Sequence, residues 1–113
     1  MRITYASKKV EEYFSDYRQM QKVIPYDWVR KIKKHVDSLK AAECFGDFLK
    51  VGLGYPEPLS GKDAGKWSVH ITKNVRLIFR PNAAGTAVMI CEEIRMEGVA
   101  DYHGSSSDTW YIP

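Results

Sequence analysis

Cysteine is scarce here and cysteine pairs are missing. The two thiols, Cys44 and Cys91, lie far apart in 113 residues, which excludes a disulfide framework and any CxxC metal or redox motif. Two reduced, buried thiols are the expectation. Histidine is as thin: His35, His70 and His103 are scattered, with no HExxH and no paired-Asp pattern, so no metal ligand set is visible. No Ser or Cys nucleophile motif occurs. Gly61 to Lys66 is not a nucleotide-binding P-loop, because Trp67 stands where the motif needs Ser or Thr. Long apolar runs are missing too, and MRITYASKKVEEYF has no apolar signal core, so the chain is expected in the cytoplasm, with no membrane partner. Excess charge is slight: a formal +3 permits attraction to nucleic acid without requiring it.

What remains is an ordinary globular composition, 44% hydrophobic and 27% charged, enough for one modest core. Arg2 to Tyr5 alternate as a short edge strand. Ser7 suits an N-cap, and Val10, Tyr13, Phe14, Tyr17, Met20 and Ile24 recur at helical spacing, predicting a first helix over Lys8–Lys22. Pro25 suits the first position of a second helix, whose stripe is Val29, Ile32, Val36 and Leu39. Its other face, with Arg30, Lys31, Lys33, Lys34 and Lys40, reads as solvated surface or as a phosphate or partner contact. A third helical segment is expected over Ala41–Val51, and a central strand over Thr86–Ile94. The order strand, helices, strands predicts an α+β layer, with two to three helices on a small antiparallel sheet.

The stretch from Leu59 to Arg80 is the most informative. Trp67–Ile71 and Val75–Arg80 alternate across a short turn and read as a hairpin. A two-residue loop at Lys73-Asn74 would put Trp67, Val69 and Ile71 on one face with Arg76 and Arg80. A three-residue loop, Thr72 to Asn74, instead pairs Ile71 with Val75, Val69 with Leu77 and Trp67 with Phe79, gathering the apolar side chains. Asn74 is then expected in the left-handed position. Ser68, His70, Arg76, Ile78 and Arg80 share the opposite, open face.

That face, beside Lys62 and Lys66, looks built for an anion. Two arginines four residues apart on a strand point the same way, and guanidinium matches phosphate bidentately. A histidine on a strand is usually structural, and its place opposite Arg76 raises the functional reading of His70 level with that. Asp101-Tyr102-His103 gathers three proton-handling groups where a strand runs out, though on these residues alone a surface-exposed terminal segment is the better reading of the tripeptide. Catalysis on such residues would be acid–base chemistry without metal or cofactor. Cleavage of an RNA phosphodiester by its own 2′-hydroxyl fits, since it needs a base, an acid and a cation.

The ordered elements P-L-S-G-K, G-K-W-S-V-H-I-T-K-N-V-R-L-I-F-R and D-Y-H resemble the HigB branch of the RelE/ParE toxin superfamily, over Pro56 to His103. Its members carry H-P-L-K-G, G-x-W-S-I-x-V, N-W-R-I-T-F-R and a terminal D-Y-H. The resemblance implies one RelE-like domain over residues 1–113, with 104–113 as an extension past the point where many relatives stop. It implies a type II toxin that cuts messenger RNA on the ribosome and is held inactive by a helix-turn-helix antitoxin. Asp101, Tyr102 and His103 match the terminal catalytic motif, and Arg76 the arginine on the scissile phosphate. His70 falls where related toxins carry an active-site lysine; Asn74 matches the turn asparagine and Trp67 the structural aromatic. The chain departs at Glu57 (loop histidine), Ser60 (loop lysine) and Val75 (second tryptophan). Glu57 thereby becomes a candidate base, with Lys62, Lys66, Arg80 and Ser68 as candidate RNA contacts.

Two other readings stay open. A gyrase-directed toxin of the same superfamily would lack the Asp-Tyr-His terminus, and a supercoiling assay discriminates it. A catalytically silent antitoxin-binding or RNA-binding module is favoured by Glu57 and Ser60; it predicts no difference in toxicity for His103→Ala or Arg76→Ala.

Overall fold

The computed structural model describes the backbone of residues 1–103 and 106–113, with side chains for these except residues 103 and 106–108. Ser7 opens the helical layer: its Oγ accepts the Val10 N–H at 3.2 Å and caps α1 (Lys8–Ser15). The single helix expected over Lys8–Lys22 is two. Asp16 breaks it in an extended conformation and accepts the Arg18 N–H at 3.0 Å, starting α2 (Tyr17–Met20). Aspartate competes for backbone N–H groups and so favours caps over helix interiors. Val10, Phe14, Met20 and Ile24 are nonetheless all buried.

Pro25 is the cap of α3 (Tyr26–Ala41) rather than its first residue, its carbonyl accepting from Trp28 and Val29. Helix α3 buries Val29, Ile32, Val36 and Leu39 as expected, and His35 with them. Helix α4 (Phe45–Val51) is shorter than the Ala41–Val51 segment, since Cys44 is extended and acts as its cap; Gly52, at φ 70°, ends it.

The sheet has six strands: β1 (Arg2–Tyr5), β2 (Glu57–Pro58), β3 (Trp67–His70), β4 (Val75–Pro81), β5 (Glu93–His103) and β6 (Ser106–Ile112). Their order is β1-β5-β4-β3-β2, with β6 also on β5. The hairpin pairs Trp67 with Phe79, Val69 with Leu77 and His70 with Arg76, the register of the three-residue loop. Asn74 is not left-handed there; the Thr72 Oγ1 closes the loop by accepting the Val75 N–H at 3.1 Å.

Two expectations about the sheet are corrected and one open question is answered. The sheet is mixed, because β1 runs parallel to β5; the helical layer and the hairpin intervene, and a crossover of that length allows either direction. The central strand starts at Glu93, whereas Gly85–Val88 form a 3₁₀ turn followed by exposed Met89 and Ile90. Alternation decides this, since Ile94 and Met96 are buried between the charges of Glu93, Arg95 and Glu97. Residues after His103 are not merely a tail: β6 pairs with β5, and Ile112 is fully buried.

The main core lies between sheet and helices. A second cluster, Leu59, Ile78, Ala100 and Tyr102 with Trp110 packed on it, occupies the opposite face. The middle of the open face is therefore covered, which leaves two polar regions at its ends. No helix among the described residues is long and apolar enough to cross a membrane.

Candidate active site

Four strands converge on the first polar region. Glu57 on β2 stands opposite Ser68 on β3, and His70 on β3 opposite Arg76 on β4. Arg76 Nη1 donates to the Glu57 carboxylate and, at 3.2 Å, to Ser68 Oγ. Ser68 is 0% exposed, so it holds the guanidinium from beneath. Arg76 Cζ also lies 5.6 Å from the centre of the Tyr102 ring on β5. An ion pair, a hydroxyl and an aromatic face thus fix a guanidinium whose Nε has no hydrogen-bond partner among the described residues.

His70 is oriented just as closely. Its Nδ1 sits 3.3 Å from the Thr72 carbonyl, which accepts only if that nitrogen carries a proton. Its Nε2 then faces the Glu57 Oε1 at 3.7 Å. The His70 N–H donates to the Gly54 carbonyl at 2.8 Å, and the His70 carbonyl accepts from His35 Nε2 at 3.0 Å. Tyr102 is buried, and burial pushes its phenol above the ordinary value; Asp63 and Glu57 add to this while Arg76 opposes it. The phenol therefore stays protonated at neutral pH and is a donor there.

Asp101 stands opposite Val75, on the parity alternate to Arg76 and Tyr102. The backbone of His103 pairs with Ser106 at the end of β5; its side chain lies outside the described residues. The tripeptide thus contributes Tyr102 to the cluster from a position one strand away from Arg76.

Two of the remaining predicted contacts, Lys66 and Arg80, gather around a different carboxylate. Glu97 is 8% exposed at a bulge where β5 slips against Ile78 and Phe79. Arg95 Nε lies 2.9 Å from it, Lys66 Nζ 3.8 Å and Arg80 Nε 3.9 Å. Lys66 also meets Asp63 at 3.4 Å and the Trp110 ring at 5.7 Å. Lys62 is exposed on the 3₁₀ turn Gly61–Asp63. Lys66 and Arg80 therefore belong to this second region and not to the Arg76 cluster.

Two further residues come to this face, of which Tyr55 escaped the sequence reading. Tyr55 has φ 53° and sets its ring edge-on to His70, with centroids 6.3 Å apart. Trp110 reaches the open face because Gly98, at φ 145°, leaves room: a Cβ there would meet the Ile112 carbonyl and the Trp110 ring. Only the alternation of Trp110 and Ile112 could have signalled β6, and nothing in the sequence marks the backbone of Tyr55.

No protein-family model matches the sequence, and no curated protein matches it. Solved structures do. A YoeB/ParE toxin from Agrobacterium tumefaciens superposes with a TM-score of 0.58 at 22% identity, over 91% of this chain and 100% of that one. A chain of the YoeB-YefM complex from Staphylococcus aureus gives 0.57 at 22%, over 92% and 98%. A YafQ mutant from E.coli gives 0.51 at 19%, over 88% and 91%. Likeness at this identity is likeness of architecture, and the chain accordingly has the fold of the RelE/YoeB-like toxins.

Proposed function

We propose that this chain is the toxin of a type II toxin–antitoxin pair and that it cleaves messenger RNA on the ribosome. The observation carrying this is the meeting of Glu57, His70, Arg76 and Tyr102 on one face of the sheet. Similarity of fold to YoeB and YafQ toxins supports the class, and a YoeB-YefM complex among the similar structures supports an antitoxin partner. Placement in the HigB branch, with a helix-turn-helix antitoxin, rests on the motif order from Pro56 to His103.

The scissile phosphate takes the place of Glu57 at the Arg76 guanidinium. The freed carboxylate then removes the proton from the ribose 2′-hydroxyl, and His70 Nε2 stands by to share it. The 2′-oxygen attacks phosphorus, and charge building on the phosphorane oxygens is met by Arg76 and the Tyr102 hydroxyl. As the bond to the 5′-oxygen breaks, that oxygen takes a proton from the His103 imidazole. The products are a 2′,3′-cyclic phosphate and a 5′-hydroxyl. Asp101 orients the terminal motif, and Ser68 serves by holding Arg76 rather than by touching RNA.

Induced expression should arrest growth and truncate messages that are being translated, with Arg76→Ala abolishing both. Growth arrest with intact messages sinks this reading and, joined to lost supercoiling, points to gyrase.

A further inference from the structure

Among the described residues Tyr55 is the one non-glycine with positive φ. A bulky side chain in the left-handed region is strained, and no buried apolar packing offsets it here. Tyr55 is 80% exposed and belongs to neither apolar cluster. What holds it is the backbone around it. The Tyr55 N–H reaches the Gly52 carbonyl at 3.3 Å, and the Gly54 carbonyl accepts from His70. A Cβ at Gly54 would come within 2.7 Å of the His35 ring, so that segment lies tight against α3 and β3. A strained, solvent-facing aromatic ring is thus pinned edge-on beside His70.

We propose that Tyr55 is a stacking platform for a nucleobase of single-stranded RNA, one adjoining the phosphate bound at Arg76. The inference rests on the RNA-cleavage reading above. Every base has a π-face, and an exposed ring needs no donor or acceptor to hold one. Glu57, two residues on, sits at the Arg76 guanidinium, so a base on Tyr55 and a phosphate on Arg76 belong to neighbouring units of one strand. The ring sets where the strand lies and Arg76 sets where it is cut.

Binding of a short RNA with 2′-O-methyl at the cleavage position tests this, with intact oligonucleotides and with ones abasic on either side of that position. Tyr55→Gly should bind the intact RNA roughly ten- to a hundredfold more weakly, and Tyr55→Phe within about twofold. One abasic RNA should weaken wild type by a similar factor and Tyr55→Gly hardly at all, the signature of a shared contact. The thermal midpoint of Tyr55→Gly should not fall, since glycine accepts this backbone freely. Intact binding by Tyr55→Gly alongside loss in Arg76→Ala overturns the platform and leaves the cleavage reading standing. A falling midpoint makes the ring structural and overturns the platform too. Wild-type binding by Arg76→Ala overturns the reading beneath it, and no binding by wild type at low salt overturns the platform.

Discussion

Glu57 holds two positions at once in the argument: it is the resting counter-ion of Arg76 and the base that Arg76 must release. Glu57→Gln separates them. Cleavage should fall roughly 10²- to 10⁴-fold for loss of a general base, while affinity for an uncleavable RNA should hold or rise because nothing competes for the guanidinium. Unchanged cleavage would remove Glu57 from the mechanism. His35 carries a second residue-scale prediction. Burial holds its imidazole below the ordinary value, Lys34 and Lys31 push the same way, and the bond to the His70 carbonyl opposes them. The unfolded chain takes up that proton near pH 6.5 and the folded chain only below it. Stability is therefore full above about 6.5 and is lost as pH falls through the folded value. Melting midpoints between pH 7.5 and 5 should drop in wild type and drop less in His35→Gln; parallel slopes would place the acid sensitivity elsewhere.

At the scale of elements, legibility followed the repeat of the pattern. The β3–β4 register could be argued beforehand because one loop length gathers Trp67, Val69, Ile71, Val75, Leu77 and Phe79, and that same register set His70 against Arg76. Parallel pairing of β1 had no such test, being decided by packing between segments distant in sequence; the break at Asp16 and the onset of β5 rest on weaker local signals, one capping carboxylate and a short alternation. Strand β6 was missed because Ser-rich sequence precedes it, yet it ties β5 to the helices through buried Ile112 and through Tyr111, whose ring meets Trp28 edge-on at 5.2 Å. Gly98→Ala tests that tie. The new methyl would drive into the Ile112 carbonyl from a backbone that alanine rarely adopts. A loss of about 2–4 kcal/mol is expected in denaturant unfolding. A loss under about 0.5 kcal/mol, the scale of an ordinary surface change, would mean that β6 docks loosely.

Over the whole molecule the polar face of the sheet is divided. One end holds the Arg76 cluster, the other holds Glu97 among Lys66, Arg80 and Arg95, and the apolar patch of Ile78, Ala100 and Trp110 lies between. Site residues were legible where they share a strand face, as Arg76 and His70 do, and illegible where a bulge or a left-handed residue redirects the chain, as at Glu97 and Tyr55. Counting basic residues suggested that Lys66 and Arg80 face a phosphate chain; the fold gives both a carboxylate to answer first. That carboxylate acts as a mask. Glu97→Gln would raise the formal charge only from +3 to +4, yet it would unveil Arg80 and Arg95 in one place and leave Lys66 with Asp63 alone. Such a variant should grip RNA of any sequence more tightly at low salt, lose that grip more steeply as salt rises, and so trade discrimination for adhesion.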